Sequence, residues 1–149
     1  MKIENKEMLL YSIDKAYDEL VEALKRADEK EVYFRLGSCL HWIIDCYDRV
    51  KGTEIEKQNE EMFRAVKGAN NAQKHIRQLY KLHEEKTSNY PKKYPKHYGV
   101  KYLWRDIEKI PLRNEKEKIA YQKLFCGNSI LIGLLEAKET IHRYYERCD

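Results

Sequence analysis

The sequence predicts an all-α fold: a four-helix up-down bundle in a single domain over residues 1–149, with an insertion of about 27 residues between its third and fourth helices. Three observations predict it. Apolar residues recur at three- and four-residue steps in four long segments, the period of a helix with one buried face. Short links join the first three segments, which makes consecutive helices antiparallel neighbours. All three prolines, Pro91, Pro95 and Pro111, fall in the one stretch that lacks the helical period.

The first helix, over about 5–27, carries Leu9, Ile13, Ala16, Leu20, Ala23 and Leu24 on its apolar stripe. The second, over about 29–51, opens on Asp28 with Glu31, a capping-box-like start, and Gly52 lies just past its end. Its stripe is Val32, Leu36, Cys39, Ile43, Cys46 or Tyr47, and Val50. Thr53 with Glu56 forms a second capping box and starts a third helix over about 54–86, with a stripe of Met62, Val66, Ala69, Ala72, Ile76 and Leu79. Asn114 with Glu117 caps the fourth, over about 114–147, whose stripe is Ile119, Cys126, Ile130, Leu134, Ala137 and Ile141. A second apolar stripe on that helix, Leu124, Leu131 and Leu135, suits either a central position or a homodimer interface. In the insertion, 87–113, the run from Val100 to Ile107 loosely alternates and is rich in β-formers, which predicts a strand or short hairpin.

A domain of 149 residues can bury roughly 68–70% of its unfolded surface, so it needs no staples. Its four cysteines show no CxxC spacing, and nothing around Met8-Leu9-Leu10 reads as a signal peptide, which points to reduced thiols in the cytoplasm. No apolar run approaches the roughly 20 residues that span a bilayer, so no membrane partner is expected. A net charge of +4 is mild for a chain that is 36% charged, and neither requires nor excludes nucleic acid.

The stretch from Arg64 to His75, Arg-Ala-Val-Lys-Gly-Ala-Asn-Asn-Ala-Gln-Lys-His, puts poor helix formers in the middle of a helix. At 100° per residue, Arg64, Asn71 and His75 lie within about 40° of one another, with Gly68 beside them. An imidazole moves protons near neutral pH, a guanidinium holds a phosphate oxyanion, and a carboxamide orients either one. Together they suit cleavage of a phosphodiester, with His75 as general acid or base, Arg64 as phosphate clamp and Asn71 as orienting group. Lys67 and Lys74 would add positive field. The same groups equally suit a hydrogen-bonded cluster that ties the third helix to a neighbour, for example to Asp45 or Glu19.

The helix bearing Asn70-Asn71-Ala72-Gln73-Lys74-His75, in a helical bundle of this length, resembles the HEPN superfamily of toxin and abortive-infection proteins. The resemblance implies a helical bundle, often dimeric, and a metal-independent ribonuclease activity in phage–host conflict or stress. Some relatives serve only as binding modules. The family motif is Arg, usually a polar residue, and then His after four to six intervening positions. The Arg64–His75 pair departs from it, with ten residues between and Ala65 after the Arg. Arg35 and His41 have the spacing, but Leu36 follows the Arg; Arg77-Gln78 to His83 fits better and stands as an alternative catalytic pair, or as two solvated helix residues.

The insertion interleaves cations with rings: Lys92, Lys93, Lys96, Tyr98, Lys101, Trp104 and Arg105. Lysines neutralise phosphates and rings stack on bases, so these residues are candidate contacts to RNA; a surface loop whose rings lie on the bundle would look similar. His41 and Asp45, at i and i+4, are spaced to hydrogen-bond. Glu139-Thr-Ile-His142 resembles one unit of a di-iron bundle, but no second copy exists, and nothing singles out a site from His41, His75 and His142. No metal and no cofactor is expected. The two functions left open are a HEPN-like protein that binds or cleaves RNA, and a non-catalytic interaction module that dimerises through its last helix and binds a protein partner.

Overall fold

The computed structural model describes residues 2–54, 59–75, 79–84, 100–107 and 114–148. Five helices carry the framework: α1 (Lys6–Arg26), α2 (Glu29–Asp48), α3 (Glu60–His75), α4 (Glu115–Leu124) and α5 (Ile130–Glu146). Between α3 and α4 lie two strands, β1 (Tyr80–Glu84) and β2 (Val100–Trp104), paired antiparallel so that Tyr80 faces Trp104 and Leu82 faces Tyr102. The predicted all-α class holds for the framework, but with five helices in place of four.

The first two helices follow their apolar stripes. Leu9, Ile13, Ala16, Leu20, Ala23 and Leu24 are buried on α1, and Val32, Leu36, Cys39, Ile43, Cys46 and Tyr47 on α2, joined there by Leu40. The reversal between them is tight. Ala27 takes a left-handed conformation that costs a residue with a Cβ about 1–2 kcal/mol, and the Asp28 side chain accepts from the Glu31 N–H to start α2. A link this short lays the two helices against each other along their length.

The third helix does not run over 54–86. It is described over Glu60–His75, residues 80–84 are a strand, and the Thr53 hydroxyl donates to the Val50 carbonyl at 2.6 Å. Glu56, its expected capping partner, lies outside the described residues, as does Ile76 of the expected stripe. Residues 80–84 pair with β2 as an extended strand instead of continuing the helix. Tyr80 and Tyr102 are both buried with centroids 5.4 Å apart, and the Tyr80 hydroxyl donates to the Glu29 carbonyl of α2 at 3.2 Å. Leu79 is buried as expected, though from the approach to a strand.

The fourth predicted helix is two helices. Gly127 takes a φ of +80°, the Asn128 side chain donates to the Leu124 carbonyl at 3.1 Å, and Ser129 opens α5. The turn docks on β2: the Gly127 N–H donates to the Trp104 carbonyl at 2.9 Å, and the Trp104 N–H to the Asn128 carbonyl at 3.0 Å. This break shifts the helical phase upstream of it. Ile119 is therefore 56% exposed and Cys126 only half-buried, while Ile130, Leu134, Ala137 and Ile141 are buried as expected.

All five helices and the ribbon contribute to one core. Trp104 is fully buried in it, stacked on Phe125 at 4.9 Å and edge-on to Tyr121, while the Tyr121 hydroxyl donates to the Arg105 carbonyl at 2.5 Å. The Trp104 Nε1–H finds no acceptor among the described residues. No described helix is long and apolar enough to cross a membrane. The four cysteines are free thiols.

Burial pushes the Cys39 thiol up from 9.0 to about 12 and the Cys46 thiol to about 11, and raises the Tyr121 and Tyr145 phenols as well. Folding favours the protonated form of each. The stability they supply is intact below pH 9 and declines as pH rises from there toward 12. The melting temperature should therefore fall between pH 9 and pH 11, and fall less steeply in Cys39→Ala; a curve flat over that range would contradict the burial of these groups.

Candidate functional site

The end of α2, the first half of α3 and the first turn of α4 line a cavity of about 230 Å³. Arg64 and Lys67 reach it from α3, Lys51 from beyond α2, and Lys116 from α4. Glu60, Glu117, Asn114 and Tyr47 complete the lining. Four cations and two carboxylates thus share the lining of one partly open cavity.

Gly68 makes this arrangement possible. A Cβ there would stand 2.8 Å from the Glu117 backbone carbonyl and 3.4 Å from the Tyr121 Cβ, so only glycine lets α4 lie this close to α3. Asn114 caps α4 by accepting from the Glu117 N–H at 3.1 Å. The Asn71 carboxamide donates to the Glu117 carboxylate at 2.7 Å, tying the two helices together one turn beyond Gly68.

The cations are held in different ways. Arg64 pairs with Glu60 at 2.6 Å, and Lys67 pairs with Asp48 at 3.2 Å while lying 5.3 Å from the centre of the Tyr47 ring. That ring is in turn stacked on Phe63 at 4.2 Å. Lys51 and Lys116 are exposed and have no carboxylate partner among the described residues. Two paired cations, and two without a carboxylate partner among the described residues, leave the lining with an excess of positive charge that can attract an anion such as a phosphate.

Arg64, Asn71 and His75 share one face of α3, which is continuous through Gly68. Arg64 lines the cavity and Asn71 is engaged by Glu117, but His75, the last residue of α3, is exposed and makes no hydrogen bond to the described residues. The alternative pair does not share a helical face: His83 lies on β1 opposite Lys101, and Arg77 lies outside the described residues.

Of the expected RNA contacts, Lys67 lines the cavity and Lys74 is exposed farther along α3. Trp104 cannot stack on a base, because it is sealed in the core. Arg105 follows β2 on the exposed surface, with its N–H donating to the Leu79 carbonyl at 2.6 Å. Lys101 stands on β2, and Lys92, Lys93, Lys96 and Tyr98 lie outside the described residues.

Other expected pairs also separate. Asp45 binds Arg49 at 3.3 Å, so the expected bond with His41 is not made; His41 lies edge-on to Trp42 at 5.6 Å. His142 bonds Asp14 of α1 at 2.7 Å, with Lys138 also on that carboxylate at 3.4 Å. No three His, Cys, Asp or Glu residues among those described converge to hold a metal.

Sequence reasoning missed Lys51, Asn114 and Lys116, which join the site only through the packing of α4. It also missed a groove of about 440 Å³ between α2 and α3, lined by Tyr33, Phe34, His41, Asn70, Gln73 and Lys74. Tyr33 and Phe34 are 42% and 61% exposed. Their signal was two adjacent rings lying off the apolar stripe of the second helix. No family model, no curated protein and no solved structure matches the chain.

If Asn71 acts as a strut, Asn71→Ala and Glu117→Ala should each lower stability by about 1–3 kcal/mol, and the double variant should cost less than their sum. Urea denaturation of the four proteins measures this. Strict additivity would mean that the pair is not coupled.

Proposed function

We propose that the chain is a HEPN-like helical module that binds RNA through its phosphate backbone and does not cleave it. The observation that carries the reading is the convergence of Lys51 from the turn after α2, Arg64 and Lys67 from α3, and Lys116 from α4 on one cavity. The cationic surface also continues. Arg64, Lys67 and Lys74 lie within about 80° on α3, and the distance from the first to the last is about 15 Å, roughly four stacked nucleotides. Binding is favoured over cleavage because two of the groups that would do the chemistry are already engaged: Asn71 by Glu117 and Arg64 by Glu60. The resemblance in the stretch Asn70 to His75 supports a stress or phage–host conflict role for such a module.

A labelled single-stranded RNA should bind with a log–log salt slope of about −2 to −3, as expected for three or four neutralised phosphates. Arg64→Ala and Lys116→Ala should each reduce that slope by about 0.7, whereas His75→Ala should leave it unchanged. Salt-independent binding, or none, would overturn the reading. Cleavage of cellular RNA by the parent protein that His75→Ala abolishes would replace binding by catalysis.

A second reading, self-association through α5 and capture of a protein partner, is favoured by Ile132 and Leu135, which are 61% and 36% exposed. Leu131 is half-buried against the core and so belongs to the fold more than to a surface. Under this reading Ile132→Glu converts a dimer to a monomer in light scattering, and a parent protein that is already monomeric would exclude that interface.

A further inference from the structure

The groove between α2 and α3 differs from the rest of the surface in two respects. Its lining contains no carboxylate, and Lys74 is its one fully charged side chain. It also opens beside the same α3 stripe that carries Arg64 and Lys67 toward the cationic cavity. A ligand that is aromatic where it enters the groove and anionic along α3 would satisfy both. Charge complementarity thus selects a nucleic acid strand over an acid-free apolar peptide.

The groove is built to hold a flat ring. Phe34 is mostly exposed, with the Arg35 guanidinium 5.2 Å from its ring centre, and that guanidinium is paired with both Glu19 and Glu31. Tyr33 lies beside it on α2. The floor is polar. Gln73 is 8% exposed, and its Nε2 donates to the Tyr33 carbonyl at 3.0 Å. This bond fixes the carboxamide so that Oε1 points toward Gly37, where an added Cβ would stand 3.2 Å from it. Oε1 has no donor among the described residues and can accept from the exocyclic amino group of a base.

We infer that this groove takes an unpaired base of single-stranded RNA, stacked on Phe34 and Tyr33, while the flanking phosphates follow Lys74 and Lys67 toward the cationic cavity. The inference rests on the RNA-binding reading above and adds the base-holding half of the site. A base on an aromatic ring is held by its π-face whatever its identity, so stacking gives affinity and the Gln73 acceptor favours a base that carries an exocyclic amino group, as adenine, cytosine and guanine do and uracil does not.

The test compares two labelled twelve-nucleotide RNAs in anisotropy titrations with the full chain, one poly-adenylate and one abasic with the same phosphates. Phe34→Ala should weaken poly-adenylate binding by about 5- to 150-fold with the salt slope unchanged, and Phe34→Trp should restore it. Both variants should bind the abasic strand as the parent does. Because Phe34 is mostly exposed, its loss should not move the melting temperature. Parent-like poly-adenylate binding by Phe34→Ala would overturn the stacking groove while abasic binding still upheld the phosphate site. Failure of the parent to bind either strand would remove both. If RNA binding is unchanged and Phe34→Ala instead turns a dimer into a monomer, the groove belongs to a protein contact and the inference is wrong.

Discussion

The candidate site depends on one close approach, that of the α4 backbone to Gly68. A helix interior gives up about 1 kcal/mol for glycine relative to alanine, and nothing local on α3 repays it. The return is tertiary. Without a Cβ at position 68 the Glu117 carbonyl can sit where a methyl group would otherwise stand, and the first turn of α4 then lies over the first half of α3. Asn114, Lys116 and Glu117 enter the site by that route, from residues nearly fifty positions farther along the chain. Lengthening the helix–helix distance by one methyl group would open the cavity and draw Glu117 away from Asn71.

How much of this was legible follows from the range of the interactions. The stripes of α1 and α2 could be read directly, because each buries one face and the residues between Leu9 and Leu24, or Val32 and Val50, keep a single phase. The third helix was overextended because Ile76 and Leu79 continue its period, while the alternation of Tyr80 and Leu82 becomes meaningful only once β2 is known to lie alongside. The fourth was fused for a related reason. Ile119, Cys126 and Ile130 happen to keep the spacing of one continuous stripe, which hid the stop signal in Gly127-Asn128-Ser129. That signal was present, and the contacts of the turn with Trp104 show what it serves.

The site divides along the same line. Arg64, Lys67 and Lys74 were legible as a polar stripe, since their relation is a property of one helix. Asn71 was rightly singled out, but its partner is a carboxylate on another element, and that partner decides its role. His75 was grouped with them by angle alone. Angle does not say what packs against a side chain, and that of His75 is exposed. Trp104 shows the opposite error. Among lysines it looked like a stacking platform, yet a strand paired on one side and a turn on the other carry it into the core.

Under the proposed reading, the polar stripe of α3 is structural at its centre and serves binding at its edges. Glu117 accepts from Asn71 through its side chain and donates to Asn114 through its backbone, so both ends of its reach are committed to fixing α4. The Asn71–Glu117 bond thus serves the packing of α4 on α3. What the pair does fix is the position of Lys116, one residue away in the first turn of α4. Under the proposed reading, the residues that resemble a ribonuclease motif work by holding a lysine opposite Arg64, and the anion they receive is bound by a preset field without any proton changing hands.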